Sequence, residues 1–81
     1  MTEIDATGLT CPMPVLRLQK ILRDMAAGAR VTLLATDPMA AIDVPHFCQE
    51  QGHRLTAQST KAGAGPGGAD LLIFEIEKGH A

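Results

Sequence analysis

Among the residues of this chain that can do chemistry, Cys11 has the most unusual setting. It opens the run Cys11-Pro12-Met13-Pro14, directly ahead of a segment with helical periodicity. Proline is tolerated in the first turn of a helix, where the amides have no intrahelical acceptor. Two prolines there fix the backbone entering the helix and leave the amides of Met13 and Val15 as the available donors. A thiolate at the N-cap would accept from them and sit at the positive end of the helix dipole. Cysteines so placed have pKa values lowered to roughly 3.5–7.5. Arg17 and Lys20, further along the same helix, add positive potential. The expected result is an exposed, partly ionised thiol that attacks sulfur electrophiles and stabilises a bound persulfide anion, at some cost in nucleophilicity. Such a group suits a protein that accepts a sulfur and gives it away. The alternative is a cysteine packed as a small hydrophobe in a turn.

The other reactive groups read differently. Cys48 lies one helical turn after Val44 and beside Phe47, which marks a core cysteine, with a resolving or second carrier thiol as the lesser reading. No histidine is adjacent to Cys11 in sequence, so a Cys–His dyad is disfavoured, and His46 and His53 read as surface or packing residues. His46, His53 and His80 with a single cysteine make no zinc pattern, and no CxxC is present. Asp37 and Asp43 read as helix caps. Thr36-Asp37-Pro38 ends a strand at the sheet edge where the first helix also begins, which brings Asp37 near Cys11 as a charge that opposes thiolate formation. The stretch from Gly63 to Gly68 resembles a phosphate-binding loop in composition only, since the Lys-Ser/Thr ending and the following helix are missing.

Size and composition limit what can surround such a thiol. The 81 residues point to a single domain, 1–81. A chain of this length buries only roughly 60% of its unfolded surface, so its chemistry belongs at the surface or at an interface with another protein. Hydrophobic residues make up 46% of the chain, with no Trp or Tyr and only Phe47 and Phe74 as Phe, so an aliphatic core is expected. The net charge of −2 and the lack of stacking aromatics argue against nucleic acid and anionic membrane as partners. No apolar run spans a bilayer, and Met1-Thr2-Glu3-Ile4-Asp5 does not read as a signal peptide. The expected compartment is the cytoplasm, where free thiols are the rule.

The elements that must position Cys11 follow from periodicity. Residues 3–6 read as a strand with Ile4 and Ala6 on one side, and 7–10 as a turn pivoting on Gly8. Residues 12–27 read as a helix whose apolar stripe is Val15, Leu18, Leu22 and Met25, widened by Ile21, with Gly28 as its stop. Residues 30–36 form a strand that carries Val31, Leu33 and Ala35 on one face. Asp37-Pro38 opens a second helix that Pro45 interrupts and Asp43 caps again, with Val44, Phe47 and Cys48 inward and Gly52 at its end. Residues 53–60 make a weak strand, 61–69 a mobile glycine-rich loop, and 70–77 a strong strand in which Leu72, Phe74 and Ile76 alternate with Leu71, Ile73, Glu75 and Glu77. The expected fold is an α/β (α+β) two-layer sandwich of order βαβαββ. Its first β-α-β crossover is right-handed and its last two strands form a hairpin. Both helices lie on one face of a four-stranded mixed sheet, and Leu71 and Ile73 leave the far face partly apolar, as a docking surface would be.

At this point the chain resembles the TusA/SirA-like sulfurtransferases. The resemblance rests on Leu9-Thr10-Cys11-Pro12-Met13-Pro14-Val15, Thr36-Asp37-Pro38, Asp43-Val44-Pro45-His46-Phe47-Cys48 and Gly52-His53, in that order, with Asp5-Ala6-Thr7-Gly8 fitting the entry strand and turn. It implies the same two-layer fold. It also implies that Cys11 accepts persulfide sulfur from a donor protein, a cysteine desulfurase or a rhodanese, and passes it to an acceptor in tRNA thiolation, molybdenum cofactor formation or sulfur oxidation. It implies no metal and no organic cofactor. The chain departs from the tRNA-thiolation pattern in having Met13 in place of an acidic residue, Ile42 in place of an Arg, and a long glycine-rich loop before the last strand. A protein-binding or regulatory module of the same fold is the alternative expectation.

Overall fold

A computed structural model describes residues 2–79. The chain runs β1 (Thr2–Ala6), α1 (Met13–Arg23), β2 (Arg30–Ala35), α2 (Ala40–Gln51), β3 (Arg54–Lys61) and β4 (Leu71–Glu77), with a short 3-10 turn at Pro66–Gly68. The four strands lie in the order β1-β2-β4-β3. β1 and β2 are parallel, while β4 is antiparallel to both β2 and β3. This is the α+β arrangement expected from the sequence.

Side-chain alternation builds the core. Val31, Leu33 and Ala35 of β2 face the same way as their partners Ile76, Phe74 and Leu72 of β4, and all six are buried. Ile4 and Ala6 extend that face onto β1. Leu18 and Leu22 of α1 and Ala40, Val44 and Cys48 of α2 complete the core on the same side. β3 is an edge strand of almost entirely exposed residues, with only Leu55 packed against the core. On the far face Leu34 pairs with Ile73, and both, like Leu71, stay half-exposed.

Three elements differ from the sequence expectation. The first helix spans Met13–Arg23 rather than 12–27, because the amides of Asp24 and Met25 bond back to Ile21 and Leu22 in a tightened last turn. The chain beyond is tied to the end of β4, since Gly28 donates to the Lys78 carbonyl and Lys78 to that of Ala29. Val15, Ile21 and Met25 only flank the core, and Pro14, Leu18 and Leu22 are the helix's buried residues.

The second helix is continuous across Pro45. Proline cannot donate to the carbonyl four residues back, which leaves the Ala41 oxygen without its helical partner. Gln58 of β3 supplies one, its Nε2 donating to that oxygen at 3.4 Å. Asp43 therefore caps nothing and lies within the helix. Asp37 holds the entry turn, accepting from Met39 through Oδ1 and from Ala40 through its own carbonyl. Gly52 ends α2 in the left-handed region, as expected.

The glycine-rich loop, expected to be mobile, has a hydrogen-bonded shape. Gly63 donates to Asp70, Gly65 to the Ala69 carbonyl and Gly68 to that of Gly65. A Cβ at Gly65 would lie 2.8 Å from the Ala69 oxygen and 2.9 Å from the Thr36 methyl, so only glycine lets the loop close against the end of β2.

Candidate functional site

Cys11 lies between β1 and α1, at the sheet end where β2 also stops. β1 ends at Ala6, and the following turn is pinned by Thr7 on Asp5 and by Gly8, whose amide donates to the Thr36 hydroxyl at 2.9 Å. The Cys11–Pro12 peptide is cis, and Pro12 serves as N-cap without a side-chain hydrogen bond. Met13 donates to the Thr10 carbonyl at 2.8 Å and Leu16 to that of Pro12. The thiol thus stands exposed, just ahead of the helix rather than as its cap.

Two carboxylates hold Cys11. Its amide donates to Asp37 Oδ2 at 2.6 Å, and its Sγ–H donates to Asp43 Oδ2 at 2.8 Å. Asp37 was expected near the cysteine and is found there. Its two backbone hydrogen bonds, from Met39 and from Cys11, hold its carboxyl below the usual range. Asp43 was expected only as a cap. Its place on a continuous α2 turns its side chain toward the sulfur.

This environment reverses the expected ionisation of the thiol. The hydrogen bond to Asp43, followed by desolvation and then by the charges of Asp43 and Asp37, pushes the Cys11 thiol up from its ordinary range. The depressed value expected of a helix N-cap required free amides as partners, but the Met13 amide is engaged by Thr10 and the nearest charges are negative. Arg17, expected to add positive potential, donates to the Asp5 carbonyl at 2.8 Å.

The surface around the sulfur is apolar. A shallow groove of about 340 Å³ runs from Cys11, Pro12 and Val15 to Asp43, His46 and Phe47 of α2. Met13, Leu16, Met39 and Ile42, the large hydrophobic side chains left most exposed among the described residues, flank the cysteine and the two aspartates in sequence, and Ile42 is 64% exposed. His46 is paired with Glu50 on the same helix. His53 accepts the Gly79 amide and stacks obliquely on Phe47, as a packing residue does. Cys48 is 2% exposed. Among the described residues no group of three or more His, Cys, Asp or Glu could hold a metal ion, and no helix is long and apolar enough to cross a membrane.

The family model for sulfurtransferase TusA matches residues 2–65, which include Cys11, Asp37 and Asp43. The chain belongs to the TusA sulfurtransferase family. The sulfur carrier protein TusA of Pseudomonas entomophila is 48% identical over 60 residues, covering 74% of this chain and 75% of that one. That of Pseudomonas aeruginosa is 47% identical over 60 residues, covering 74% of this chain and 76% of the relative. The fold is similar to the crystal structure of a SirA-like protein from Desulfitobacterium hafniense, with a TM-score of 0.73 and 26% identity over 99% of this chain and 100% of that one. The TusA match stops at residue 65, so the end of the glycine-rich loop and β4 lie outside it.

Sequence reasoning missed Asp43 as a partner of the thiol. The available signal was its place at the head of the third block of family-like residues, Asp43-Val44-Pro45, where a cap alone does not explain it.

Proposed function

We propose that this chain is a cytoplasmic sulfur carrier that takes up sulfane sulfur as a persulfide on Cys11 and relays it to an acceptor protein. The observation that carries the reading is the exposed Cys11 thiol, fixed by Asp37 and Asp43 at the apolar end of a TusA-family fold. Pro12, Met13 and Pro14 set the backbone on which the thiol is presented. In uptake, Cys11 gives its proton to solvent and Sγ attacks the outer sulfur of a donor persulfide. The donor's S–S bond breaks, its electron pair stays on the donor thiolate, and Cys11 keeps the outer sulfur. The sulfur is transferred without net oxidation, so no metal or organic cofactor is called for.

The partners this site suits are a donor such as a cysteine desulfurase or rhodanese and an acceptor of a sulfur relay. Met13 and Ile42, both exposed and close in sequence to Cys11 and Asp43, favour partners with apolar contact surfaces. tRNA thiolation, molybdenum cofactor formation and sulfur oxidation are the pathways in which such a relay serves. The test is transfer of label from radiolabelled cysteine, through a cysteine desulfurase, onto the chain. Reductant-sensitive label on Cys11 is the expected result. Label that persists at wild-type level in Cys11→Ser contradicts the reading and favours a regulatory module that binds partners without carrying sulfur.

A further inference from the structure

The Sγ–H of Cys11 points at Asp43 Oδ2 across 2.8 Å, and among the described residues no salt bridge engages that carboxylate. The charged groups near the sulfur come from the segment after β2, from α2 and from α1. Asp37, after β2, holds the Cys11 amide. α2 contributes Asp43, His46 and Glu50 to the groove, with His46 and Glu50 paired to each other. From α1, the Arg17 guanidinium keeps its charge and donates to the Asp5 carbonyl. A thiol can donate to a carboxylate, whereas a thiolate or a persulfide anion can only be repelled by it.

We propose that Asp43 is the positioning residue of the sulfur-transfer site, holding the empty carrier as the neutral thiol through the Sγ–H bond and disfavouring the charged, loaded form so that cargo is passed on. The proposal rests on the reading of Cys11 as the sulfur-bearing group. In discharge, an acceptor thiolate attacks the outer sulfur of the Cys11 persulfide. The bond from Cys11 Sγ to that sulfur breaks with its electron pair on Sγ, which takes a proton from solvent, and the acceptor leaves as its persulfide anion. The protonated Sγ then regains the hydrogen bond to Asp43, so the contact favours the products of discharge. In the free carrier the same contact slows reaction of Cys11 with stray electrophiles, because the thiolate is the reactive form.

The test is the pH profile of Cys11 alkylation by iodoacetamide in the full chain, read by site-resolved mass spectrometry for wild type, Asp43→Asn and Asp43→Ser. Both variants remove the charge, and the expected result is a lower pH midpoint with a rise of about three- to tenfold in the rate at neutral pH. Buried Cys48 reports folding in the same sample and stays unmodified. A midpoint unchanged from wild type in both variants overturns the proposal. So does a gain in Cys11 reactivity that appears only together with Cys48 modification, since Asp43 would then act through the fold. A second readout is sulfur exchange from the loaded carrier to glutathione. Both variants are expected to retain more sulfur at equilibrium than wild type, and equal or lower retention counts against the proposal. Alkylation needs no sulfur donor, so an unchanged midpoint removes the role of Asp43 while leaving the carrier reading intact, and failure to load sulfur does the reverse.

Discussion

Cys11 and Cys48 carry the same thiol, and in both the fold pushes it above its ordinary range, but by different means. Cys11 is exposed and is shifted mainly by its hydrogen bond to Asp43. Cys48 is sealed in the core beside Val44 and is pushed up to about 11 by burial alone. A shift made mainly by a neighbouring carboxylate is reversible in large part, because a docking partner that displaces or neutralises the carboxylate removes its share. A shift made by burial ends only when the fold opens. The first arrangement suits a group that reacts on cue, and the second a group that only packs.

The largest effect expected from this contrast is selectivity of modification. In native protein, alkylation should reach Cys11 and not Cys48, whose rate is reduced by the folding equilibrium, on the order of a thousandfold or more. Mass mapping of the modified chain checks this, and comparable rates at both sites would break the contrast.

The next effect is on stability. Cys48→Ser puts a hydroxyl into an apolar site and should cost about 1–3 kcal/mol, whereas Cys11→Ser at the surface should change stability by about 0.5 kcal/mol or less. Urea denaturation midpoints of the two variants give the comparison directly.

The smallest effect is on the pH dependence of folding. The folded-state pKa of Cys48 is raised from an ordinary 9.0 to about 11. The folded chain therefore holds the proton where the unfolded chain has lost it. The stabilising contribution is fully present below about pH 9 and is lost as pH rises through the folded value. Thermal melts across that window should show a decline that Cys48→Ala flattens. An equally steep decline in Cys48→Ala would assign it to other groups.

The parts of this molecule that could be read from its sequence are those where burial prints a period. Leu72, Phe74 and Ile76 alternate in sequence because one face of β4 is covered, and Leu18 and Leu22 recur because one face of α1 is. The nearness of Asp37 to Cys11 is legible for a similarly local reason, as it follows β2 at the sheet end where α1 starts. What escaped depends on contacts between distant residues. Pro45 breaks a helix by local rules, yet α2 is continuous across it, and the freed Ala41 carbonyl accepts from Gln58 on another element. That continuity carries Asp43 to a sulfur 32 positions away and inverts the expected ionisation of Cys11. A helix dipole lowers the pKa of a cysteine whose cap amides are free, but here Thr10 takes the Met13 amide and a carboxylate takes the thiol.

The most direct test of the central claim is intact mass after incubation with cysteine and a cysteine desulfurase, or with polysulfide as a protein-free donor, on wild type, Cys11→Ala and Cys48→Ala. The account predicts that wild type and Cys48→Ala each gain one sulfur atom, removable by reductant, and that Cys11→Ala gains none. Loading of Cys11→Ala at the wild-type level, or no loading of wild type from either donor, would contradict it.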